Sequence, residues 1–210
     1  MTSLCPRIDP LLGRAPKPAR YIGCEAGARS PVHAARKTAW LLVYPDSYEV
    51  GLPNQGLQIL YEILNERDDA VAERSYAPWV DMEREMRARS VPLFSVDTHR
   101  PAGDFDIIAF NLSAELVYTN VLNVIDLAGV SVRGLHRRAE DPLVGAGGHC
   151  AYNPEPLADF VDFFVMGDGE EVIAEITEVV GEWKRSGRTE GSRHQVLHAL
   201  ARVQGVYVPS

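Results

Sequence analysis

The stretch Trp40-Leu-Leu-Val-Tyr-Pro-Asp-Ser-Tyr-Glu-Val-Gly51, followed by Pro53-Asn-Gln-Gly56 and a long amphipathic run, decides the fold class. A short apolar strand over 39–44 empties into a polar, glycine-containing loop, and the loop feeds a helix over 54–66. Leu57, Leu60, Tyr61 and Leu64 recur at spacings of three and four and line one face of that helix. Asn54 is placed to cap it. In an open α/β sheet such a junction lies at the carboxyl end of a strand, where ligands usually sit.

The same alternation continues outward. Residues 70–76 read as a second strand, and 79–89 as a charged helix with Trp79, Met82 and Met86 on its buried side. Phe105-Asp-Ile-Ile-Ala-Phe110 is apolar on both faces, as a central strand must be. It runs through Asn111 and Ser113 into a helix over 115–128, with Gly129 suited to a left-handed terminus. Leu143-Val-Gly-Ala146 is a further strand with a tight turn at Gly147-Gly148, and Phe160–Val165 is another. Asp168-Gly-Glu-Glu171 opens a helix reaching about 184. The tail over 192–203 has helical periodicity, and Gly205-Val-Tyr-Val-Pro209 is strand-like. Strands alternating with helices predict an α/β fold whose mostly parallel sheet is covered on both faces. Residues 1–35, rich in Pro, Gly, Ala and Arg, read as an N-terminal arm, 36–190 as the α/β domain, and 191–210 as a helix and linker. An apolar strand at the very end, stopping at Ser210, reads as a handover to a further domain, against the simpler alternative of a tucked-in end.

At 210 residues the chain buries one substantial core. Its net charge of -8 repels phosphate backbones, which argues against nucleic acid. The short arginine groups Arg84, Arg87, Arg89 and Arg133, Arg137, Arg138 are mixed with acids and read as solvated faces. Cys5, Cys24 and Cys150 make no disulfide framework, and the chain reads as cytoplasmic. No apolar run approaches the ~18 residues of a membrane span, and the start lacks the order of a secretory signal. Self-association of the isolated domain is a further expectation.

Four strand exits carry polar or glycine residues: Asp46, Tyr48, Glu49 and Gly51; Asn111, Ser113 and Glu115; Gly147, Gly148, His149 and Cys150; and Gly167 to Glu171. In a parallel sheet all four share one edge and form a wide, shallow cleft, where Gly147 and Gly148 let a flat ligand approach the backbone. Each also has a plain structural reading. Asp46 after Pro45 suits a turn or cap, the glycine pair suits a turn, and Asp168, Glu170 and Glu171 suit a helix start through the dipole alone. His149 beside Cys150 does not make zinc, because a closed site needs four ligands and His33, His99, His136, His194 and His198 are scattered. Nor do adjacent residues readily aim their side chains together as nucleophile and base. Neither the dinucleotide fingerprint nor the phosphate-loop signature is present.

Several segments together resemble the N-terminal region of a family of bacterial radical SAM proteins: Arg20-Tyr-Ile-Gly23, Pro45-Asp-Ser-Tyr-Glu-Val-Gly51, Gly56-Leu-Gln-Ile-Leu-Tyr61, Ala77-Pro-Trp79, Tyr118-Thr-Asn-Val-Leu-Asn123, Gly147-Gly148, Asn153-Pro-Glu-Pro156 and Gly167-Asp-Gly-Glu170. The resemblance implies a Rossmann-like, flavodoxin-like three-layer sandwich of the cobalamin-binding kind. It also implies a radical SAM barrel, in cis or as a separate chain, that holds an iron–sulfur cluster and S-adenosylmethionine. The cluster's Cys-x-x-x-Cys-x-x-Cys motif is not in this sequence, so no catalytic residue and no metal ligand is expected here. Base-off cobalamin domains place Asp-x-His-x-x-Gly after the first strand. This chain has Asp46, then Tyr48 at the histidine position, then Gly51. Ser113 matches a serine that contacts the nucleotide tail, and Gly147 and Gly148 match a later glycine pair packed near it. Asp46, Tyr48, Gly51, Ser113, Gly147 and Gly148 are thus the expected cofactor-binding rim. The alternative is a scaffold or interaction domain of the same fold that has lost cobalamin.

Overall fold

A computed structural model describes residues 3–23, 25, 27–29 and 32–209; Cys24 and Ser210 lie outside the described residues. In chain order the elements are α1 (Cys5–Leu12), β1 (Thr38–Tyr44), α2 (Tyr48–Gly51), α3 (Gln55–Glu66), β2 (Ala70–Tyr76), α4 (Val80–Ala88), β3 (Ile107–Asn111), α5 (Tyr118–Leu127), β4 (Leu143–Gly147), β5 (Phe163–Val165), α6 (Gly169–Arg185), α7 (Glu190–Leu200) and β6 (Val206–Tyr207). The strands form one sheet in the order β2-β1-β3-β4-β5-β6. The first five are parallel, and β6 pairs antiparallel with β5, Val206 opposite Val165. This is the flavodoxin-like order, in which the order of strands reverses between β1 and β3 and ligands gather at the carboxyl ends there.

Period-2 alternation along the strands separates two cores. One face carries Leu41, Val43, Ile108, Phe110 and Val144 and packs on Met82, Met86, Val121, Val124 and Ile125 of α4 and α5. The other carries Trp40, Leu42, Ile107, Leu143 and Phe163 and packs on Leu57, Tyr61 and Leu64 of α3 and Ile173, Ile176 and Val180 of α6. Each fully buried leucine or isoleucine contributes roughly 1.5–3 kcal/mol. The helix α3 starts as its sequence indicates, with Asn54 Oδ1 accepting the Leu57 N–H at 2.9 Å. Gly129 follows α5 at φ 73°.

Within the arm, α1 buries Ile8 and Leu11 against the first core, although Pro6 and Pro10 hide the helical pattern. Three expectations need correction. The last central strand begins at Phe163, not Phe160, because Leu157 to Val161 wind into a helical turn first. Trp79 stands before α4, half exposed, with the Arg20 guanidinium 5.1 Å over its ring. Arg137 is no solvated residue. It is 5% exposed, lies 2.9 Å from Asp162, and donates to the Ser131, Val132 and Phe160 carbonyls.

The outer edge of β2 is closed by the segment that follows α4. Val96 N–H donates to Arg74 C=O at 2.8 Å and Ser75 Oγ to Phe94 C=O at 2.9 Å. Covering an edge strand in this way is one of the devices that keep it from pairing with another chain.

Candidate cofactor site at the carboxyl edge of the sheet

On the face toward α3 and α6, side chains shrink along the central strands. Ile107 stands beside Leu143, then Ala109 beside Gly145, then Asn111 beside Gly147. The space left between sheet and helices is a cavity of about 540 Å³. Trp40, Leu42, Phe163, Ile173 and Ile176 form its apolar base. The indole of Trp40 is fixed there, donating to Thr177 Oγ1 at 3.1 Å. Gly145 is required by its neighbour, since a Cβ would stand 2.3 Å from the Phe163 ring. The expected shallow cleft is therefore deep, because two glycines and an alanine give no cover to the helices above.

The mouth is polar. Asn54, Asn111, Ser113, His149, Tyr152 and Asp168 line it. Asn111 Nδ2 donates to Asn54 Oδ1 at 3.3 Å, and Ser113 Oγ lies 2.8 Å from the Tyr44 hydroxyl. Gly148 has φ 97°, and a Cβ there would come within 3.0 Å of the Leu112 carbonyl oxygen, so the backbone turns closely under the rim. Tyr152 is 68% exposed and flanks the opening without filling it. The charged side chains among the lining residues are the carboxylates of Asp168 and Glu170. Such a mouth disfavours polyphosphates and suits a mostly uncharged ligand with an apolar portion. The volume falls in the range of small-molecule sites, roughly 300–1,000 Å³. A dry void of this size would cost on the order of 10 kcal/mol at ~24 cal/mol per Å³, about the whole stability of a domain. Water or ligand must fill it.

Of the six residues expected at the rim, Ser113, Gly147 and Gly148 line this cavity together. Asp46, Tyr48 and Gly51 do not. Asp46 Oδ1 accepts the Ser47 N–H at 2.6 Å, a local turn. Gly51 is a packing glycine, where a Cβ would lie 2.6 Å from the Tyr76 ring and 2.8 Å from Tyr44. Tyr48 donates its hydroxyl to Glu25 Oε1 at 2.6 Å and packs edge-on against Tyr76. Burial, then the Glu25 carboxylate, push its phenol well above the ordinary tyrosine value. Glu25 in turn meets Arg74 at 3.1 Å, and Arg74 meets Asp97 at 2.7 Å while covering the Tyr61 ring. Sequence reasoning missed Trp40, Ala109 and Gly145 as cavity residues. The signal was there in principle, as small residues at alternate positions of β3 and β4.

Residues 56–209 match the family described as radical SAM proteins, N-terminal. The chain belongs to that family. The match begins inside α3, so it includes Ser113, Gly147 and Gly148 and leaves out Asp46, Tyr48 and Gly51. No curated protein and no solved structure matches the chain. The matched region is a radical SAM N-terminal accessory domain that spans most of the chain. Among its described residues, no three His, Cys, Asp or Glu side chains are grouped to hold a metal ion, and no helix is long and apolar enough to cross a membrane.

Proposed function

We propose that this domain holds cobalamin at the carboxyl edge of its sheet and presents it to a radical SAM barrel in cis or on a separate chain. The observation that carries the reading is the cavity between the sheet, α3 and α6, with Ser113, Gly147 and Gly148 on its rim. Its apolar base suits the heterocycle of a nucleotide tail. The glycine backbone at 147–148 and the Ser113 hydroxyl are what a tail would meet at the mouth. Bound cobalamin supplies a cobalt centre for methyl or radical transfer, and the iron–sulfur cluster and S-adenosylmethionine belong to the barrel. Tyr48, engaged with Glu25 and outside the cavity lining, would take no part in holding the cofactor. In this reading 1–35 is an arm, 36–190 the cofactor module and 191–210 the lead toward the barrel, and the protein is cytoplasmic.

A scaffold that has lost the cofactor is the second reading. It is favoured by the departure of Asp46, Tyr48 and Gly51 from the cavity. Titration with hydroxocobalamin and adenosylcobalamin, followed by visible absorbance and calorimetry, separates the two. The cofactor reading expects saturable binding at micromolar levels that is lost in Gly147→Leu. At Gly147 the nearest atom to a new Cβ is 3.7 Å away, so the side chain enters the cavity without backbone strain. No binding by either form, with or without the barrel supplied, leaves the scaffold.

A further inference from the structure

We infer that Cys5 and His99, remote from the cavity, form an activated-thiol site that reacts with peroxides and small electrophiles. Cys5 Sγ lies 3.2 Å from His99 Nδ1, and His99 Nε2 lies 2.7 Å from the Tyr21 carbonyl oxygen. A carbonyl only accepts, so Nε2 carries the ring proton and Nδ1 turns its lone pair to the thiol. Nucleophile, base and a third group that orients the base are the parts by which thiols are activated.

The pair is built into the fold. Leu4 N–H donates to His99 C=O at 2.9 Å, and Leu4, Ile8 and Leu11 are buried behind it. Ser3 Oγ lies 3.1 Å from the sulfur and 3.0 Å from the Thr98 carbonyl. His99 itself is held at φ 56°. Cys5 remains partly exposed, so small reagents can reach it.

With hydrogen peroxide the step balances. Nδ1 takes the thiol proton, a sulfur electron pair attacks one peroxide oxygen, and the O–O bond breaks. The departing hydroxide receives the proton from Nδ1–H and leaves as water. Sulfur is oxidised by two electrons to the sulfenic acid, and the peroxide is reduced.

Cys150, also partly exposed and set beside the Tyr118 phenol, is an internal standard. Alkylation of the full chain by iodoacetamide, read for each cysteine peptide by mass spectrometry, should modify Cys5 about tenfold or more faster than Cys150. Dimedone added after peroxide should label Cys5 in the same preference. His99→Asn keeps a residue that tolerates the left-handed backbone, and it should bring Cys5 down to the Cys150 rate while Cys150 stays unchanged. Equal rates in the native protein overturn the inference, as does a Cys5 rate that His99→Asn leaves intact. If the variant loosens the fold, the Cys150 rate rises and the native ratio alone decides.

Discussion

At the amino end of the sheet, Asp106 before β3 and Asp162 before β5 are built alike. Each accepts a backbone N–H from the neighbouring strand, Ala39 at 2.6 Å and Val144 at 2.7 Å. Each faces two cations, Lys184 and Arg188 for the first, Arg137 and Arg193 for the second. At the carboxyl end β3 carries Ala109 and β4 carries Gly145 and Gly147, and beyond them lies the cavity. One edge is saturated with partners and fixes how strands and helices meet. The other leaves room and presents amides, a hydroxyl and two carboxylates. The stabilising ion clusters and the proposed ligand site therefore lie at opposite ends of one sheet, and substitutions at the two ends should behave differently.

The largest effect belongs to the amino end. Asp162→Ala strands the guanidinium of Arg137, buried, and that of Arg193, 6% exposed, and orphans the Val144 N–H. Removing one partner from a buried ion cluster costs about 3–5 kcal/mol, to be read as a fall in the urea midpoint. Asp106→Ala should cost less, since a quarter of the Lys184 side chain reaches solvent. A loss under about 1 kcal/mol for Asp162→Ala, the worth of an exposed pair, would remove the distinction between the two edges.

An intermediate effect is expected on the edge strand β2. Burial raises the Glu73 carboxyl, but hydrogen bonds from His33, Ser95 and Thr98 outweigh it and hold the group below its ordinary 4.5. A carboxyl depressed in the folded state gives stability that is present above its unfolded value and lost as pH falls through the folded one. Glu73→Gln should therefore be less stable than the native chain at neutral pH, with the gap narrowing below about pH 4.5. Thermal denaturation across that range checks it, and a gap independent of pH would show that Glu73 acts by shape alone.

How much of this the sequence disclosed follows the same division. Local signals were legible: the strand over 70–76, the Asn54 cap and the glycine after α5 each depend on neighbours in the chain. The mostly parallel sheet covered on both faces was legible too, since strands alternating with helices call for it, whereas its flavodoxin-like order came from the family resemblance. Tyr48 was not, because its partner Glu25 is 23 residues upstream in a segment without periodic pattern. The burial of Arg137 depends on Asp162, 25 positions later, and a cluster of arginines looks the same in sequence whether paired or solvated. The cavity was half legible. Gly147 and Gly148 stood out as a turn, but Ala109 and Gly145 gain meaning only once the register sets them side by side under α3 and α6.

The smallest effect on stability is expected inside the cavity. Ala109→Val adds two methyl groups to a central strand, where branched side chains are favoured. In a filled core the added volume would cost about 1–3 kcal/mol through forced rotamers and backbone shifts. At Ala109 it points into open space, so the change should stay within about 1 kcal/mol, the span of strand preference. Hydroxocobalamin titration of the same variant should show weakened binding, because the methyl groups occupy the apolar part of the site. A cost near that of a filled core, with unchanged titration, would mean that α3 and α6 close onto the sheet in solution. The carboxyl edge would then be packed as tightly as the amino edge, and the contrast between them would rest on charge alone.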